Sequence, residues 1–155
     1  MIMSLDQKRV VGDVVRIDLG DGFHSYARVM GEALFAFYGG RVTNELPIDR
    51  IIGLPIIFQI PVMDPAITSG RWVVIGNAPL DDTLLNPPFF FIQDILNKDR
   101  FKIYESGGKI RAATKEECVG LERAAVWEPA HVEDRLRDHF ANRKNKWVES
   151  LKIKQ

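Results

Sequence analysis

The chain has 155 residues, 46% of them hydrophobic and 27% charged, a length that suits one core and a composition too apolar for an intrinsically disordered chain. Lys plus Arg and Asp plus Glu balance at 21 each. No global field therefore steers the chain to nucleic acid or to an anionic membrane, and electrostatic recognition must come from local segregation of charge.

Cys118 is the single cysteine, so an internal disulfide is excluded and a reducing compartment is expected. The start, "MIMSLDQKRV", lacks the basic flank, apolar run and small-residue cleavage site of a signal peptide. The most apolar stretch, "IIGLPIIFQIPV" (51–62), is too short to span a bilayer and carries two prolines. A cytoplasmic protein without a membrane partner is the expectation.

In chain order, the first hundred residues read as strands and turns. Val15, Ile17 and Leu19 alternate with Arg16 and Asp18, the period of a half-buried strand. Gly20–Gly22 is a turn, and a second strand starts at Phe23. Gly31 and Glu32 punctuate again before the strand in "ALFAFYGG", which predicts an antiparallel meander. In "LPIIFQIPVM" a strand ends at Pro61, whose missing donor predicts a sheet edge. Trp72–Ile75 gives a further strand. The segment "DDTLLNPPFFFIQDILNKD" mixes loop and strand signals, and "FKIYESGGKIRAA" predicts a hairpin turning at Ser106–Gly108.

From Thr114 the pattern becomes helical. Thr114 and Glu117 have capping-box spacing. Cys118, Leu121 and Ala125 fall on one stripe, predicting a helix that stops near Trp127, because Pro129 forces Glu128 out of the α region. A second helix starts at Pro129, with Val132, Leu136 and Phe140 forming its apolar seam. Residues 142–155 read as frayed helix or a basic tail. The predicted architecture is α+β in one domain (1–155): an antiparallel, strongly bent sheet, with an SH3-like barrel as its closed form, followed by a C-terminal helical pair.

Candidate chemistry is sparse. Cys118 follows a helix start, which favours a thiolate, yet Glu116 and Glu117 oppose one and the apolar stripe turns it inward. His131, Asp134, Asp138 and His139 crowd the second helix, but no HExxH or CxxC pattern supplies a metal-ligand set. His24 and Ser25 are adjacent on a strand and so point to opposite faces. "YGGR" and "ESGGK" are turns rather than phosphate cradles. The two helices do not suit a DNA groove, since the second begins among Glu128, Glu133 and Asp134. Those acids carry a different implication. Between Thr114 and Asp138 seven acids face four bases, a local charge of −3, which suits docking of a basic protein partner.

"KRVVGDVVRIDLGDGFHSYARVM", "GRWVVIGNAPL", "FFFIQD" and "ATKEECVGLERAAVWEPAHVEDRLRDHF" resemble the immunity protein 26 family from about Lys8 to Phe140. The resemblance implies an α+β protein encoded beside bacterial polymorphic toxins, which binds a toxin domain and blocks it stoichiometrically. It implies no catalytic residues, no enzymatic activity and no cofactor. The expected partner is the cognate toxin domain, a nuclease being one fitting type, and neither nucleic acid nor membrane is an expected partner; oligomeric state stays open. The residues assigned to toxin binding are Glu122, Glu128, Glu133, Asp134 and Asp138. The alternatives are a β-barrel module that stacks nucleic acid or peptide on Tyr26, Phe37, Tyr38 or Trp72, and an enzyme using Cys118 or the His131 cluster.

Overall fold

The computed structural model of the protein describes residues 6–105 and 107–155. The first sheet is built on the expected meander of β1 (Asp13–Gly20), β2 (Phe23–Val29) and β3 (Leu34–Tyr38). It is extended by β4 (Ile56–Pro61) beside β3 and by β5 (Val73–Asn77) beside β1, all antiparallel. β4 is a sheet edge, as Pro61 predicts. The second sheet runs in the order β8 (Lys109–Ala113), β7 (Phe101–Glu105), β6 (Phe90–Gln93), β9 (Glu122–Arg123), with β9 parallel to β6. Of the expected β7–β8 turn, Ser106 lies outside the described residues, and Gly107 and Gly108 take positive φ.

The α+β class is as expected. The first sheet is bent but not closed into a barrel: β4 and β5 stay at its opposite ends. Register shifts at Val14/Val15, Asp18/Gly20 and Phe37/Tyr38 supply the bend, since an extra residue on one strand locally increases twist. At the β1–β2 turn three successive residues, Gly20, Asp21 and Gly22, have φ of 90°, 54° and 79°, which two glycines allow without a Cβ clash.

Both faces of the first sheet are covered, so its strands are more deeply buried than alternation alone implies. On one face Val15, Ile17, Ala27, Val29, Phe35 and Phe37 pack with Trp72 beneath α5 (Pro129–Phe140), through Val132 and Leu136. α6 (Lys146–Ser150) adds Trp147 and Val148 to the same core. On the other face Val14, Tyr26 and Tyr38 meet Ile51 of α1, a single turn at Ile48–Ile51, and two further single turns, α2 (Pro65–Thr68) and α3 (Asp82–Leu85), flank β5 in the chain. That second face also holds Arg28, only 1% exposed. Its guanidinium donates to the carbonyls of Gly12, Ala78 and Pro79 and to the Tyr38 hydroxyl, so each nitrogen of this buried cation has a neutral oxygen partner. Gly12 is fitted to this hub: its φ is +93°, and a Cβ there would sit 2.7 Å from the Ala78 oxygen.

The C-terminal region is helical as expected, but the first of the expected helices is cut short. The capping box forms, with Glu117 N donating to Thr114 Oγ1 at 3.2 Å and Thr114 N donating to Glu117 Oε1 at 3.0 Å. But the helix it starts, α4 (Lys115–Cys118), lasts one turn rather than running to Trp127. Val119 is already extended and Gly120 takes φ +87°, after which the chain pairs as β9 with β6. A glycine in mid-helix costs about 1 kcal/mol, and strand pairing offers the backbone a better partner. α5 begins at Pro129 as predicted, with Glu128 extended before it. Residues 142–155 are not a loose tail. Asn145 caps α6 through Val148 N, and Gln93 holds the Lys154 backbone through both its amide oxygen and nitrogen.

The most deeply buried polar contact of α5 is a clamp at Glu133. Glu133, 6% exposed, accepts from Arg71 Nε and Nη2 at 2.7 and 2.8 Å and from Trp72 Nε1 at 3.0 Å. Replacing Glu133 by Ala leaves the indole N–H stranded in the core, and is expected to destabilise the fold by about 2 kcal/mol in urea melts. A second expectation concerns His24. Burial, reinforced by Arg16, holds its imidazole below the ordinary value of 6.5. As pH falls below 6.5, the unfolded chain therefore takes up the proton before the folded one. Stability should decline until the folded-state pKa is passed, and urea midpoints of His24→Gln should lack that component of the slope.

Candidate functional site

The five acids assigned from the sequence are all on or beside α5, but their environments differ. Glu122 on β9 is forked by Arg135 at 2.7 and 3.1 Å. The same guanidinium lies 3.8 Å from the Phe58 ring centroid and 5.2 Å from that of Trp127, so this pair ties the second sheet to α5 and to the edge of the first. Glu133 is the buried clamp. Asp138 accepts from Asn145 Nδ2 at 3.0 Å and pairs with Arg143 at 3.3 Å, fixing the turn into α6. Asp134 accepts from Trp147 Nε1 and from Arg137, each at 3.1 Å, yet its side chain stays 45% exposed. Glu128 is the most open of the five at 58%, with His131 at 3.6 Å. The structure thus gathers these acids around one helix, with Glu128 and Asp134 projecting most and Glu133 enclosed.

The other candidates also have definite places. Cys118 is fully buried with Phe91, Phe101 and Ile103. Burial pushes its thiol pKa up, and Glu117 adds to the rise, the reverse of what a nucleophilic thiolate needs. His131 stacks on Trp147 with ring centroids 3.5 Å apart. Among the described residues, no group of three or more His, Cys, Asp or Glu side chains is arranged to hold a metal ion. His24 Nε2 lies 2.8 Å from the Tyr26 hydroxyl, while Ser25 is buried and its hydroxyl donates to Tyr38 O. Tyr26, Phe37, Tyr38 and Trp72 are at most 1% exposed. They build the core and cannot serve as stacking platforms on a surface, which corrects the expectation attached to them.

Two apolar features were not legible in the sequence. A groove of about 640 Å³ lies between the sheets, floored by Met30, Leu34, Leu84 and Phe90 and edged by Val11, Leu85 and Val126. At one end the Tyr104 hydroxyl donates to Glu32 Oε2 at 3.0 Å and Gly107 N donates to Glu32 Oε1 at 2.9 Å. The groove exists because residues 124–126 run from the second sheet to the first, with Ala124 N donating to Phe91 O of β6 and Trp127 N to Pro61 O of β4. The second feature is the β6–β7 turn, which displays Ile95 and Leu96 to solvent. The one signal for it in the sequence is Asp94, a residue type that caps turns through its side chain.

Among the described residues, no helix is long and apolar enough to cross a membrane. No curated protein and no solved structure matches the chain. A family model described as Immunity protein 26 matches residues 10–102, covering the whole first sheet and β6 and reaching the start of β7, while the segment Thr114–Phe140 lies beyond the matched stretch. The chain belongs to the immunity protein 26 family.

Proposed function

We propose that this protein binds a cognate polymorphic toxin domain and neutralises it as a stoichiometric protein–protein inhibitor rather than by catalysis. The observation that carries this reading is the family match over residues 10–102. The chemistry of the candidate residues is consistent with it: the cysteine is buried with a raised pKa, and the acids around α5 are held by partners that orient them.

The toxin contact is assigned to the acidic surface of α5 and its flanks, Glu122, Glu128, Glu133, Asp134 and Asp138. Within that set Glu128 and Asp134 are the groups that meet the partner's charge, because they project furthest. Glu122, Glu133 and Asp138 hold the surface in shape through Arg135, Arg71 and Asn145. A cationic toxin face fits this surface, and a nuclease, whose active site faces phosphates, is the type of toxin it suits. By covering such a face the protein would stand where the substrate's phosphates bind.

Co-expression with the toxin domain encoded in the adjacent reading frame is the direct test. Cells carrying both are expected to survive, and the two proteins to elute as one complex; no protection and no complex would refute the reading for that pair. Charge substitution must spare the buried clamp, so the informative variant is E128K/D134N, in which Asn keeps an acceptor for Trp147. Its association rate with the toxin should fall about tenfold at low salt and recover towards the parent rate at high salt. An unchanged rate would remove the acidic helix as the interface. Cys118 should resist alkylation in the native protein and react in denaturant, and protection should survive C118A.

A further inference from the structure

Two large aliphatic side chains stand almost wholly in water: Ile95 is 93% exposed and Leu96 is 96%. The next most exposed large hydrophobic residue among those described is Val119 at 68%. Single apolar residues on a surface are ordinary, but these two are adjacent and form the tip of the turn joining β6 to β7. The fold gains almost no burial from either, so packing does not account for their apolar character.

The turn that carries them is well ordered by its own hydrogen bonds. Asp94 Oδ1 accepts from Leu96 N at 2.8 Å and from Asn97 N at 2.9 Å. Asp94 N donates to Arg100 O and Arg100 N to Asn97 O, both at 3.0 Å. Asn97 Oδ1 accepts from Asp99 N, and Gln93 Nε2 donates to Lys98 O from below. A turn fixed in this way loses little conformational entropy on docking, so the apolar contact is retained as affinity. Its flank is net basic. Lys98, Arg100 and Lys102 are exposed and outnumber the acids Asp94 and Asp99; Lys98 Nζ also donates to Gln155 O at 3.2 Å.

We propose that the Ile95–Leu96 turn is an anchor that inserts into an apolar pocket on the toxin domain, with Lys98, Arg100 and Lys102 meeting carboxylates at the pocket's rim. The proposal rests on the immunity reading and adds to it where affinity resides. Two preorganised aliphatic side chains filling a dry pocket have the form of a binding hot spot, whereas the charges on α5 govern chiefly the rate of encounter. A lipid surface is the other apolar phase such a tip would enter. It is disfavoured because lasting membrane attachment needs a larger apolar face or a denser basic cluster, and the turn also carries Asp94 and Asp99.

The test compares the parent, I95D/L96D and E128K/D134N in calorimetric titrations with the toxin domain encoded beside this chain, together with cosedimentation on phosphatidylserine vesicles. Because both side chains are already in water, I95D/L96D should keep the parent's melting temperature. Its affinity for the toxin domain should fall by at least ~30-fold, with no vesicle binding by any of the three. Equal affinity and protection by I95D/L96D would overturn the anchor and leave the immunity reading standing. A parent that neither binds nor protects would overturn both. Vesicle binding lost in I95D/L96D, with toxin affinity unchanged, would overturn the toxin pocket in favour of a lipid surface.

Discussion

The burial of one carboxylate sets the arrangement of the molecule. Glu133 lies inside the interface between α5 and the first sheet, where an unpaired charge would cost several kcal/mol. Trp72 Nε1 and the Arg71 fork stabilise it there. Trp72 in turn meets Phe35 and Phe37 edge-on, with centroids 5.5 and 5.7 Å apart. One side chain thus fixes the rotation of α5 and joins it to the centre of the apolar core. With that rotation set, Val132 and Leu136 face inward, and Arg137 reaches the Leu19 carbonyl at 2.8 Å. Glu128 and Asp134 are consequently left on the outside.

The second sheet depends on a different polar residue. Gln93, at the end of β6, accepts from Arg123 Nη2 and Lys154 N and donates to Lys98 O and Lys154 O. One amide therefore joins β9, the C-terminal segment and the base of the β6–β7 turn. Arg123 adds hydrogen bonds to the carbonyls of Leu151 and Lys152. The exposed tip at Ile95–Leu96 stands on this support, which is why a turn that contributes nothing to the core nevertheless has a defined shape.

The acids on α5 show why net charge is a poor guide to a binding surface. The −3 of Thr114–Asp138 suggests an open acidic face, but most of those carboxylates are engaged by arginines from within and beyond the segment. Arg71 is 62 residues away from the Glu133 it clamps, and no local count of charge registers such a partner. What stays open to solvent is a narrower charge pattern, set in a surface whose geometry is fixed by the other pairs.

The sequence by itself determined the elements with strong local physics. The alternation in β1, the glycine turn at 20–22, the edge position of Pro61, the Thr114 capping box and the start of α5 at Pro129 follow from backbone sterics and short-range hydrogen bonding. Cys118 does face inward, but against Phe91, Phe101 and Ile103 of the second sheet rather than along a continuous helical stripe. Tertiary structure decided what local patterns cannot express. The stripe Cys118–Leu121–Ala125 fits a helix, but Gly120 and the free edge of β6 ended that helix at Cys118 and paired Glu122–Arg123 as β9. The aromatics Tyr26, Phe37, Tyr38 and Trp72 became core once the sheet was covered on both faces. Residues 142–155 became ordered because Asn145 and Gln93 held them. Whether a carboxylate is a clamp or a contact, and whether an Ile–Leu pair is buried or displayed, depends on partners brought together from distant parts of the chain, and folding alone supplies them.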